Sequence, residues 1–114
     1  MSIASEPTLY KFVVWAPDMT DPDALQRRLS VRERHLARAT DLHNSKQWKV
    51  GGALLTPESI ASPDAEKKMI GSMIICEAES IEAVRKMIES DIYYTSNVWD
   101  KEKLQIFPYL TRDL

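Results

Sequence analysis

Between Leu9 and Ala16 the chain carries bulk on both faces of one alternating run, with Tyr10, Phe12 and Val14 on one side and Val13 and Trp15 on the other, after Lys11. β-Branched and aromatic residues in such a run favour a strand. Bulk on both faces places that strand inside a sheet, covered on more than one side. The rest of the chain must therefore supply its neighbours.

Pro17 closes this strand, and Asp21-Pro22-Asp23 predicts a helix start with an N-cap, a proline at the first helical position and an acid in the first turn. Leu25, Leu29, Arg32, Leu36, Ala39 and His43 recur at three- and four-residue steps, and Val31, His35 and Leu42 broaden that face. The pattern runs to about Asn44, where Asn44-Ser45 ends it. Trp48 to Thr56 predicts a second strand, in which Gly51-Gly52 marks a bulge or a close approach to the backbone. Residues 57–68 read as a loop, and Met69 to Glu77 as a third strand. Ser80 caps a second helix with an Ile81, Val84, Met87, Ile88 stripe, ending near Ser90-Asp91. The stretch from Ile92 to Lys101 is polar and aromatic, and Lys103 to Tyr109 alternates as a final strand.

The order β-α-β-β-α-β predicts an α+β fold of the ferredoxin-like type, an antiparallel four-stranded sheet with two helices on one face. Residues 9–110 would form the domain, with tails at 1–8 and 111–114. The uncovered sheet face would show Val13, Trp15 and part of the third strand, and a large apolar patch marks an interface. A second copy packed face to face would cover it, so a homodimer is expected.

At 114 residues one domain is the natural count. A net charge of -2, from 15 Lys+Arg and 17 Asp+Glu, offers no single-sign field for nucleic acid or an anionic membrane. The densest basic stretch, Arg27, Arg28, Arg32, Arg34 and Arg38, is broken by Glu33 and flanked by Asp21, Asp23 and Asp41, and most of it reads as a solvated helix face. Cys76, the only cysteine, lies in an apolar run and reads as a small hydrophobe in a reducing compartment. The N-terminal residues lack the basic start and apolar core of a signal peptide, and no apolar run reaches the roughly 18 residues of a membrane span, so the cytoplasm is the expected address. Two histidines eight residues apart and one cysteine do not give metal-ligand spacing. Phosphate-binding glycine loops and a Ser/His/Asp signature are missing as well, so no cofactor is indicated.

The stretches Arg32-Glu33-Arg34-His35-Leu36, Gly51-Gly52-Ala53-Leu54, Gly71-Ser72-Met73 and Asp91-Ile92-Tyr93, followed by Val98-Trp99 and Gln105-Ile106-Phe107-Pro108, resemble the YCII-related family over residues 9 to 109. The resemblance implies a dimeric α+β barrel built from ferredoxin-like protomers. It also implies a His-Asp pair in a cleft, falling on His35 and Asp91, and an activity among cofactorless lyases that remove a leaving group from ring substrates. Two departures stand out. Ile92 replaces the proline that usually follows the aspartate, restoring a backbone donor. Lys46-Gln47-Trp48 precedes the glycines where the family is commonly glycine-rich, placing a bulky Trp48 at the pocket entrance.

An imidazole can take and return a proton near neutral pH, and a carboxylate can fix its tautomer, which gives His35 and Asp91 their candidate roles. The competing readings are a packing histidine and a helix-terminal turn former. Arg32, one turn from His35, can clamp an anionic oxygen or form a surface ion pair. Ser72 can donate to a bound ligand or satisfy backbone, and Tyr93 and Trp99 can wall a pocket for a flat ring or serve as core. His43 has no partner by spacing, while Trp15 and Met73 fit core or interface. Taken with the resemblance, which carries the functional reading, these residues predict a small-molecule enzyme without cofactor, working by elimination or isomerisation. A metabolite-binding protein without chemistry and a protein-interaction module on the same fold are the alternatives.

Overall fold

The computed structural model describes residues 7–112, so the first six residues of the expected N-terminal tail, and residues 113–114, lie outside the described part. Four strands, β1 (Tyr10–Pro17), β2 (Trp48–Leu55), β3 (Met69–Ala78) and β4 (Gln105–Pro108), form one sheet in the order β2-β3-β1-β4. Every neighbouring pair is antiparallel. Strand β1 is interior, as its two bulky faces require. Its Phe12, Val14 and Ala16 are buried on the helical side with Ile74 and Cys76 of β3. On the other side, Trp15 stands opposite Met73, and Val13 lies between Ile75 and Phe107.

Helix α1 (Ala24–Asn44) and helix α2 (Ile81–Glu89) cover the first face, and α2 sets Val84 and Ile88 fully into the core. Ser80 caps α2 as expected, its side chain accepting from the Ala83 amide at 3.1 Å. Helix α1 begins later than the sequence predicts. Pro22 precedes the helix, and the N-cap Asp23 makes no side-chain cap bond. Asp21 accepts the Asp23 amide at 3.2 Å and clamps both Arg27 terminal nitrogens at 2.7 Å. That Arg27 bond draws the Asp21 carboxyl down to about 2.

The buried face of α1 also differs from the expected one. Leu29 and Leu36 are exposed, and Ala24, Arg28 and His35 are the residues it buries. The expected solvated arginine face is thus corrected at Arg28, which is 3 % exposed. The physical reason is a set of buried acceptors at the end of β1 and beyond α2, which draws polar side chains inward in place of leucines.

Lys46 has a φ of 67° and ends α1 in the left-handed region, with its amide donating to the His43 carbonyl and the Gln47 amide to the Leu42 carbonyl. This turn delivers Trp48 to the start of β2 with its ring buried. The irregularity expected at the glycines falls on either side of them: Trp48 and Val50 pair with consecutive residues of β3, leaving Lys49 as the extra residue, and a second register shift lies between Leu54 and Leu55. Gly71 is a true close approach. A Cβ there would sit 2.9 Å from the Ala16 carbonyl oxygen.

A short helix that periodicity did not reveal, α3 (Ile92–Thr95), follows α2 directly, and Asp91 is its N-cap. Pro57–Ile60 forms one 3-10 turn inside the expected loop. No helix among the described residues is long and apolar enough to cross a membrane.

Candidate functional site

Helices α1 and α3 and the β2 side of the sheet enclose a cleft of about 720 Å³. Arg28, Arg32 and His35 of α1 line it from one side, Trp48 and Gly51 to Ala53 from the other, with Ser72, Ile74 and Tyr93 also in its wall. Its volume suits a small organic ligand.

His35 and Asp91, 56 residues apart, meet here. The imidazole Nδ1 is 2.8 Å from Asp91 Oδ1, with His35 7 % exposed and Asp91 completely buried. Asp91 also accepts the Tyr93 amide on Oδ1 at 2.9 Å and Arg38 Nη1 on Oδ2 at 3.0 Å. A carboxylate holding an arginine and a helix-capping amide is an ionised acceptor, so the hydrogen shared with His35 belongs to the imidazole Nδ1. Neutral His35 then carries its lone pair on Nε2, which has no hydrogen-bond partner among the described residues. The ring is held in place by stacking on Tyr93, with centroids 3.8 Å apart and planes 10° apart, and by the edge contacts of Trp99 and the tilted ring of Trp48.

Asp91 is therefore both the turn former and the partner of His35, and one carboxylate performs both tasks because α3 starts where α2 ends. Ile92, which replaces the expected proline, is the first residue of α3 and leaves that cap intact. Arg38, expected on the solvated face, also donates to the Met87 carbonyl and the Ser90 hydroxyl, each at 2.9 Å, and so ties α1 to the end of α2. Its position one turn beyond His35 was the available signal.

A second buried network lies beside the first. Arg28 Nη1 binds both Asp18 oxygens, at 2.8 and 2.9 Å, and Nη2 donates to Ser72 Oγ at 3.0 Å. Trp99 Nε1 donates to the same oxygen at 3.1 Å. Burial pushes the Asp18 carboxyl up, against the pull of Arg28. The Arg28 guanidinium carbon lies 4.7 Å from the Tyr93 ring centroid, while Arg28 Nε is buried without a partner. Sequence reasoning missed both Asp18 and Arg28. The spacing 28, 32, 35, 39 on one helix face was the clue to Arg28, and nothing local marked Asp18.

Of the residues predicted to bind substrate, Arg32, Ser72 and Tyr93 line the cleft. Arg32 is exposed there and has no ion-pair partner among the described residues, in place of the alternative surface pair with Glu33. Trp99 is corrected: it is fully buried, outside the cleft lining, and buttresses Ser72, Tyr93 and His35 from behind. Its indole N–H needs a buried acceptor, and Ser72 provides it. With both hydroxyl lone pairs accepting, from Arg28 and Trp99, the Ser72 proton remains to donate elsewhere. Arg28 is balanced by Asp18 and Arg38 by Asp91, so Arg32 leaves the cleft with a positive excess.

The sequence pattern of the YCII-related domain matches residues 11–108. The chain belongs to the YCII-related domain family. It is 33 % identical over 96 residues to Protein YciI of Escherichia coli O6:H1, covering 84 % of this chain and 94 % of that one. It is 27 % identical over 101 residues to the aspercryptin biosynthesis cluster protein B of Emericella nidulans, covering 89 % of this chain but only 63 % of the relative's length. Among solved structures, the 5-chloro-2-hydroxyhydroquinone dehydrochlorinase of Burkholderia phenoliruptrix, in complex with 2,5-dihydroxybenzoquinone, superimposes with a TM-score of 0.72 at 26 % identity, covering 88 % of this chain and 93 % of that one. This YCII chain thus shares its fold with a small-molecule enzyme.

Proposed function

We propose that the chain is a cofactor-independent lyase that eliminates a leaving group from an oxygenated ring compound, with His35 as its acid/base group. The observation that carries this reading is the orientation of His35: Asp91 takes Nδ1, and Nε2 is left as the proton acceptor in the cleft wall. Similarity to a dehydrochlorinase supports elimination as the reaction class. In this reading Nε2 takes the proton of a ring hydroxyl, the oxygen becomes a carbonyl, and the same proton is delivered to the ring carbon bearing the leaving group. A second hydroxyl then loses its proton as the leaving group departs with the bonding pair, and the net change is loss of HX. Arg32 and the Ser72 hydroxyl stabilise the ring oxygen while it is anionic, and Tyr93 forms a wall of the ring site. Positioned proton transfer contributes roughly a hundredfold to ten-thousandfold. Chloride release from 5-chloro-2-hydroxyhydroquinone should therefore be saturable for the wild type and fall by about that factor in His35→Ala. Equal release by the two proteins would remove His35 from the chemistry.

We also propose that the chain works as a homodimer through its uncovered sheet face, where Trp15, Val50 and Phe107 are exposed beside half-buried Val13, Met73 and Ile75. Apolar area of this kind is costly in water and is removed when two sheets pack face to face. Light scattering should give twice the chain mass for the wild type and a single chain mass for Trp15→Glu. A monomeric wild type would overturn the assembly and leave the cleft chemistry to be judged alone.

A further inference from the structure

Tyr93 is 1 % exposed, yet it lines the cleft, and its hydroxyl has no hydrogen-bond partner among the described residues. Arg28 Nε is the one buried side-chain nitrogen or oxygen without a partner among the described residues, so the Tyr93 hydroxyl is not sealed in the core but opens onto the cleft. The ring cannot turn freely to seek a partner, since it is stacked on His35 and packed edge-on against Trp99. The charges that act on the phenol are mixed, with Arg28 and Arg32 favouring its ionised form and Asp18 and Asp91 opposing it. Burial outweighs the arginines and keeps the phenol pKa above its usual value, so at neutral pH the group is a donor.

We infer that the Tyr93 hydroxyl is a ligand-binding donor that, with Arg32, receives an ionised ring oxygen of the ligand next to His35 Nε2. The preferred ligand is then a planar ring carrying a phenolate or enolate oxygen, and a neutral ether at the same ring position is rejected. The phenol and Arg32 discriminate in this way because an ionised oxygen accepts a charge-assisted bond and pairs with the guanidinium, whereas a methyl ether oxygen is a weak neutral acceptor whose methyl group crowds the hydroxyl. The inference rests on the cleft being the ligand site of the proposed function, but its test needs no turnover.

Tyr93→Phe keeps the ring that stacks on His35 and removes only the hydroxyl. Calorimetric titration at neutral pH would compare 2,5-dihydroxybenzoquinone with 2,5-dimethoxybenzoquinone on both proteins. The expected result is about tenfold weaker binding of the dihydroxy compound by Tyr93→Phe, with the dimethoxy compound changed less than about twofold. Equal binding of the dihydroxy compound by both proteins overturns the inference, as does an equal loss for both compounds, which would report the ring stack alone. Failure of the wild type to bind the dihydroxy compound also overturns it. Chloride release with its His35→Ala control judges the elimination reading separately, so either can fail without the other.

Discussion

Arg28→Met is expected to lower the unfolding free energy by about 3–5 kcal/mol, because it leaves the Asp18 carboxylate buried with its cation gone. In a domain of this size that corresponds to a melting temperature lower by roughly 10–20 °C. The two Arg28 bonds to Asp18 span the step from β1 to α1, and the bond to Ser72 reaches β3, so one guanidinium joins three elements. The pH dependence identifies the cause. A carboxyl whose folded pKa is raised binds its proton more tightly when folded, so its contribution favours folding below the usual 3.8 and is lost as pH rises through the folded value. Without Arg28 that rise grows, and the deficit of the variant should be large at neutral pH and shrink on acidification to about pH 4. Asp18→Asn in the same chain should recover part of the loss at neutral pH. Urea titrations at the two pH values check both points, and a deficit that does not vary with pH would mean lost packing, with no part played by a stranded charge.

The sheet was legible because its signals are local. Alternation in β1, the apolar run of β3 and the Ser80 cap of α2 each act within a few residues, and the topology follows from their order. Helix α3 was not legible, since four residues complete barely one turn and give no period to detect. The buried face of α1 was misjudged at Leu29 and Leu36 for a different reason. Leucine spacing normally defines the inward stripe, but Arg28 and His35 take that place because acidic partners at residues 18 and 91 await them across the fold. Long-range ion pairs carry no periodic signature, which is why nothing marks Asp18 and why Arg38 reads as part of a solvated face, while the pairing of His35 with Asp91 follows only from family resemblance. Trp99 shows the converse. Its aromatic character suggested a pocket wall, but a full-sized indole with a satisfied N–H fits the core equally well, and only the packing separates the two uses.

The strongest effect on chemistry without emptying the site should come from Asp91→Asn. The place of Asp91 Oδ1 serves both His35 Nδ1 and the Tyr93 amide, and that of Oδ2 serves Arg38, so the one asparagine oxygen can fill only one of the two and the NH₂ meets donors at the other. Facing Arg38, the NH₂ sets donor against donor and loses an ion pair while the α3 cap stays; facing His35, it gives up the cap, forces Nδ1 to accept and moves the imidazole hydrogen to Nε2. In the second arrangement the cleft-facing nitrogen can no longer take a proton, and turnover should fall by roughly a thousandfold to ten-thousandfold with little change in KM, since no ligand contact is removed. Stability should fall too, by about 2–3 kcal/mol, because either the Arg38 bond or the α3 cap is lost and the carboxylate charge goes with it. Nitrogen-15 NMR of the imidazole distinguishes the tautomers directly, with Nδ1–H expected in the neutral wild type and Nε2–H in the variant. A variant that keeps Nδ1–H and loses turnover would move the origin of the defect to the broken Arg38 contact. One that switches to Nε2–H and still turns over within about threefold of wild type would show that proton transfer at Nε2 is not the step His35 performs.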